Sequence, residues 1–518
     1  MKSKLFIAAS AISIMSVSAL AQNVPNIFTP NTPANAAEVN ENFAFLAKNS
    51  IGTTLVDGEI ELVIDCTADA AALNKAYAEH VNYKDLNFSI KGDCYGDITV
   101  KRSLDGDGNW EGNSYQVAGQ TISIYPQEGQ VAGLIPNDLS DKVVIWGGFG
   151  GGLYLNDLTV TLSTSQWDYG AAFSRNGQGA VNNVIIVGPE TPNGAGIWVQ
   201  EGAQVYIRDV TISKVTYGVY GNNNATIRFL PGPTIIASQN QGIRVLGSSI
   251  RQQADLTVTS AEGTALYLDG GSHWLGSGST ITATGTNIMI AGGSTIAVDT
   301  LAVTGVVDVE NSSLLKATNF TSGHLQVTSS ELVLGTATTE NTTLNMSKLT
   351  AQSLTAVGVD LMNSSAYIYA GTITAQTNLT QQSFMRTSNT TFADVKIERT
   401  STFNGADLTI TNLTAQDNSV LDLITATIST EIGLDSNSTG ILENVTFNGA
   451  TFNVNQANAR IMGTTKMPTS KLACWGLSQV EYEGVADILT EVPNSNCLDQ
   501  SSITTLMGLV KSNHLTPQ

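Results

Sequence analysis

Between residues 201 and 269 the sequence gathers most of what could carry proton-transfer chemistry: the bases Arg208, Lys214, Arg228, Arg244 and Arg251, and the acids Glu201, Asp209 and Asp269. A Lys or Arg able to take a proton, beside groups or a Ca²⁺ ion that neutralise a neighbouring carboxylate, is what β-elimination on a uronic-acid polymer needs. Arg228 and Arg251 are 23 residues apart, so a repeat of that period would stack them. A sparse basic face that solvates the surface accounts for these residues equally well. Hydrolysis of a glycosidic bond would instead need two carboxylates about 5 to 9.5 Å apart.

Other candidates are thinner. Asp105, Asp107 and Asn109 begin with the carboxylate spacing of a calcium loop, but Trp110 sits where such a loop wants Gly and Gln116 where it wants a bidentate Glu. An ordinary turn explains them as well, so no cofactor is expected and Ca²⁺ stays an alternative. His80, His273, His324 and His514 share no spacing, which leaves neither a metal cluster nor a Ser-His-Asp arrangement to argue. Cysteines form two distant pairs, Cys66 with Cys94 and Cys474 with Cys497. Local pairing is the expected connectivity, in an oxidising compartment.

The most specific binding signal is a row rather than a cluster. Short segments preceded by Gly or a similar residue read Gly196-Ile197-Trp198-Val199, Gly218-Val219-Tyr220, Gly242-Ile243-Arg244-Val245, Ala265-Leu266-Tyr267-Leu268 and Asn287-Ile288-Met289-Ile290. With the flanking apolar residues pointing inward, the middle residue of each points out. Trp198, Tyr220, Arg244, Tyr267 and Met289, spaced by 22, 24, 23 and 22 residues, should then form one column, continued by the polar Asp308, Gln326, Asn345 and Asp360. An exposed aromatic row is costly to leave wet. It can meet sugar rings, with Arg244 pairing to a carboxylate or sulfate, or lie covered by a loop or by an identical chain, as in a trimer.

What positions such a row is legible in the composition and the period. The 518 residues are only 13% charged, against roughly 25% in ordinary soluble proteins. Thr, Ser and Asn supply polarity instead, and 48 Gly against 12 Pro favour strands and turns. Hydrophobic residues at 42% argue against disorder. A formal charge of −20 with no basic cluster excludes nucleic acid as a partner. Lys2 and Lys4, an apolar run from Leu5 to Val17 and Ala19-Leu20-Ala21 read as a secretory signal peptide, residues 1–21, whose removal takes the charge to −22. No later stretch is long enough for a membrane span, so a secreted, extracellular or surface-displayed protein is expected, with the periplasm as an alternative.

Beyond residue 150 short strands recur, marked by Leu158, Val184, Val210, Ile235, Leu256, Ile281, Leu301 and Phe320, then more weakly by Leu354, Ile373, Phe392, Leu408, Ile428 and Val445. With one ill-marked step near 338, that makes fourteen steps of about 20 residues. The frame of a leucine-rich repeat is missing, and the Thr/Val/Ile segments broken by Gly do not suit an α-solenoid. A parallel β-helix fits, and a β-sandwich array is the alternative. Thr in the strand middles hints at an ice-binding face, but the row is interrupted at Ile185, Ile236 and Ala302.

Val63-Ile64-Asp65-Cys66, a helical-looking 68–81, and Phe88-Ser89-Ile90-Lys91-Gly92-Asp93-Cys94-Tyr95-Gly96-Asp97-Ile98-Thr99-Val100 resemble the amino-terminal cap of exported bacterial right-handed parallel β-helix proteins of the pectin-lyase-like superfamily. The resemblance covers about forty residues and implies polysaccharide binding along one sheet. The N-T-D, D-D and R-I-K signatures of polygalacturonases are absent. Both open ends of such a rod need covering. Segment 68–81 would cover the first, and Cys474 to Cys497 with an amphipathic 501–512 the last.

The expected organisation is therefore all-β: a signal peptide (1–21), an extension with a short helix from Ala34 to Lys48 (22–56), a cap (57–100), a β-helix of 14 to 16 rungs (101–465) and a second cap (466–518). The leading functional expectation is a non-catalytic rod for glycan binding, adhesion or fibre building, oligomerising through the column or the extension. A polysaccharide lyase, with Lys214, Arg208, Arg228 or Arg251 as base, is the alternative.

Overall fold

The structure is a computed structural model and describes residues 56–81, 83–96, 120–137, 146–147, 151–163, 168–285, 287–467, 471–476, 478–483, 487–488 and 497–498. Within the unit Asp57–Gln518 the chain winds as an all-β parallel solenoid with one short helix. Each coil lays down segments on three parallel ladders. The first holds Gln204–Arg208, Thr226–Phe229 and Ser249–Gln252, paired in register. Ile185–Val187 and the start of Thr211–Asn222 belong to the second, and Ala195–Val199 with the end of Thr211–Asn222 to the third.

Fourteen successive pairings run along the second ladder from Thr159 to Thr446, the steps read from the sequence. The ill-marked step is Thr336 to Thr339, where the inward residue is the small Ala337. One marker needs correcting. The counterpart of Leu256 on that coil is the buried Thr234, while Ile235 pairs with Thr211 and points out with 46% of its surface exposed; Ile236, expected as an outward interruption of the threonine row, pairs with Ile212 and is fully buried.

Alternation builds the core. Ile197, Val199, Val205, Ile207, Val210 and Ile212 of one coil are all buried, and their intervening neighbours face out. Burying each such side chain stabilises by about 1.5–3 kcal/mol. Past residue 313 the coil tightens to 17 residues, so that Leu315, Leu332, Leu349 and Ala366 stack in one buried row.

Two corners explain the Asn, Asp and Ser content. Between the first and second ladders a single left-handed residue turns the chain, at Asp157 (φ 57°), Asn183 (φ 49°) and Asp209 (φ 53°), a conformation that Asn and Asp tolerate best. Between the third and first ladders, left-handed residues such as Asn311 and Asn363 precede a buried serine. There the Ser330 N–H donates to Ser347 Oγ (3.2 Å), the Ser347 N–H to Ser364 Oγ (3.1 Å), and so on from Ser248 to Ser401. These serines are inside the wall, not on the solvated surface that the composition suggested.

At the amino-terminal end the helix spans Ala72–His80, shorter than 68–81, because Asp69 turns the chain first: its carboxylate accepts from the Ala71 N–H (3.0 Å) and its carbonyl from the Ala72 N–H (2.9 Å). Leu73 and Tyr77 enter the same core as Leu86 and Phe88. The Tyr77 hydroxyl bonds Gln120 Oε1 (3.0 Å), and burial pushes its pKa above the ordinary tyrosine value. Cys66 and Cys94 form a disulfide. Cys474 is disulfide-bonded as well, while the side chain of Cys497, its expected partner, lies outside the description. The signal peptide, the helix 34–48, the calcium-loop candidates Asp105, Asp107 and Asn109, and the segment 501–512 all fall outside the described residues.

Candidate functional site

The third ladder carries the expected column. Trp198 pairs in register with Tyr220, Tyr220 with Arg244, Arg244 with Tyr267, Tyr267 with Met289 and Met289 with Asp308. All are half-buried. The row then continues through Gln326, Thr343 and Asp360; Asn345, expected there, instead pairs with Met362 two residues further on.

The glycine before each outward residue has a steric cause. A Cβ on Gly218 would lie 2.1 Å from Ile236 and 2.4 Å from the Gly242 carbonyl, because this strand crosses close over the second ladder. Gly196, Gly218 and Gly242 stack there, and Ala265 stands in the same place on the next coil.

The rings form a pile along the rod. Tyr169 meets Trp198 edge-on (centroids 4.7 Å), Trp198 lies flat on Tyr220 (4.1 Å, planes 16° apart), and Tyr217 meets Tyr220 edge-on (6.0 Å). Arg244 continues the pile, its guanidinium 5.3 Å from the Tyr220 ring centre, 5.4 Å from Tyr267 and 5.8 Å from Tyr217. Each neighbour covers a face of the next. Trp198 and Tyr220 therefore have no open face on which a sugar ring could lie flat, and a bound molecule would meet ring edges, hydroxyls and the guanidinium.

The electrostatics centre on Arg244. Its Nε is buried without a hydrogen-bond partner, and among the described residues no acid lies within ion-pair distance. Nearby cations are engaged: Arg175 with Glu201 (3.6 Å), Arg208 with Asp209 (3.8 Å) and Lys214 with Glu190. Tyr267 donates to Asp269 (3.3 Å), and burial, with that carboxylate, raises its pKa. Asp308 has its pKa raised by burial first and by Glu310 second. Arg228 and Arg251 do stack in register, but on the first ladder, with Arg228 over the Tyr206 ring at 5.3 Å. The eight charged candidates of the sequence are thus spread over different faces and corners and do not converge on one point.

Among the described residues no group of three or more His, Cys, Asp or Glu is placed to hold a metal ion. No described helix is long and apolar enough to cross a membrane. Compared with protein-family models and with curated proteins, the chain matches none.

Proposed function

We propose that this is an exported, non-catalytic rod that binds an acidic glycan along its third ladder, at the column Trp198, Tyr220, Arg244, Tyr267 and Met289. The observation that carries the reading is Arg244: a guanidinium held between two tyrosine rings, with a buried, unpartnered Nε and, among the described residues, no acid within ion-pair distance. A cation fixed that way is already ordered for a carboxylate or sulfate, so binding sacrifices little side-chain entropy. An extended polymer can then follow neighbouring rungs about 4.8 Å apart. The leader-like residues 1–21, the disulfide and the resemblance of residues 63–100 to pectin-lyase-like caps support export and a glycan ligand.

The competing lyase reading needs a free base beside a cationic or Ca²⁺ site. Lys214 and Arg208 are ion-paired with acids, and Arg228 and Arg251, which do lie side by side, stand on the first ladder, away from the aromatic column and with no described metal-holding cluster. Affinity electrophoresis through gels carrying neutral or acidic polysaccharides tests the proposal. Retardation by an acidic polymer that disappears in Arg244→Gln supports it; ultraviolet absorbance from unsaturated products would favour the lyase.

A further inference from the structure

On the second ladder the outward position of the strand becomes threonine at Thr321 and stays so through Thr446. Thr321 pairs with Thr338, Thr338 with Thr355, Thr355 with Thr372, and the row runs on through Thr391, Thr409 and Thr427 to Thr446. The interruptions, at Ile185, at Ile235 in place of the Ile236 read from the sequence, and at Ala302, all lie before it. Eight successive coils give seven steps of about 4.8 Å, a row of roughly 34 Å.

We propose that this row is an ice-binding surface. Three separate observations support it. First, none of the eight hydroxyls is engaged by another described residue, whereas threonines one outward position further along the strand can pair between coils, as Thr259 does with Thr284 (2.8 Å). Seven of the eight residues are exposed and Thr427 is half-buried. Second, the row itself carries no charge. Two acids flank it, Asp407 on one side and Glu340 on the other, the latter beside His324 (3.6 Å). Third, the underside is fixed: Phe320, Leu354, Phe392, Ile410, Ile428 and Phe447 are all buried beneath it, and no register shift falls within the paired threonine segments.

The chemistry follows from what the row lacks. Recognition of a small dissolved molecule calls for a concave site with convergent polar groups, and the described residues of this row form neither. It offers methyl and hydroxyl groups at one constant repeat on a rigid support. The matching occupant must itself repeat, without charge, at close to the same interval. Water in an ice surface does so, its oxygens able to take the hydroxyls as donors and acceptors while ordered water surrounds the methyls.

The test is partition of the full-length protein into slowly growing ice, with an inert globular protein as reference. The wild type should be enriched in the ice fraction. Thr372→Tyr and Thr355→Lys, both at exposed positions in the middle of the row, should fall to the reference level with an unchanged β-sheet circular dichroism spectrum, and Lys316→Gln, exposed on the first ladder, should behave as wild type. Exclusion of the wild type from ice would overturn the proposal. So would full enrichment of both row variants, or binding to crystalline cellulose or chitin in place of ice.

Discussion

Trp198 lies flat on Tyr220, 4.1 Å between ring centres and 16° between planes, because residues 197–199 pair in register with 219–221. The contact joins consecutive coils rather than distant parts of the chain, and in a solenoid such nearest-neighbour contacts set local stability. Trp198→Ala should therefore destabilise by about 0.5–1.5 kcal/mol for the lost ring pair, plus the lost burial. Hydrogen exchange should locate the loss in residues 169–222, and a change spread evenly along the rod would contradict the nearest-neighbour account.

The serine row makes a second prediction. Ser347 Oγ accepts from the buried Ser330 N–H (3.2 Å) and donates to the Asn345 carbonyl (2.7 Å), so Ser347→Ala strands a buried donor. The expected loss is about 1–3 kcal/mol in urea denaturation, against little for the exposed Thr343→Ala.

Loss of the Cys66–Cys94 bridge alone should act at one end. The Cys66–Cys94 bridge closes a loop of sequence separation 28 around the helix Ala72–His80, worth about 2–4 kcal/mol by chain entropy. Cys66→Ser with Cys94→Ser should speed exchange at residues 58–95 and leave residues 313–443 unchanged.

Two aspartates give the pH dependence its sign. Burial raises the pKa of Asp168, against the pull of N–H bonds from Ser163 (2.7 Å) and Tyr169 (2.8 Å), and raises that of Asp308, helped by Glu310. With both values above those of the unfolded chain, the folded state binds more protons in the intervening window. Their contribution is fully present below the ordinary aspartate pKa and is lost as pH rises through the raised values. Asp308→Asn should flatten that decline in a thermal-melting series, and an unaltered slope would remove Asp308 as its source.

Much of this was readable beforehand, for a definite reason. A period marked by large apolar residues fixes the register, and the register alone places Trp198, Tyr220, Arg244, Tyr267 and Met289 in a column. The threonines in the strand middles are visible in the sequence, but a small marker such as Ala337 leaves their register loose, and with Ile236 in place of Ile235 as the outward residue their unbroken run from Thr321 to Thr446 emerges only from the pairing. Serine was misassigned because composition cannot distinguish a solvated hydroxyl from a buried acceptor. The signal was the recurrence of Ser313, Ser330, Ser347 and Ser364 every 17 residues, directly after left-handed positions. That the rings cover one another's faces depends on side-chain rotation, which alternation does not specify.

The central claim rests on the guanidinium between Tyr220 and Tyr267, and affinity electrophoresis of wild type beside Arg244→Gln, in gels containing acidic polysaccharides and their neutral counterparts, tests it most directly. The account predicts retardation of the wild type by an acidic polymer alone, weakened by added salt and abolished in the variant while its melting curve still shows a folded rod. Equal mobility of the two proteins in every acidic gel would contradict it.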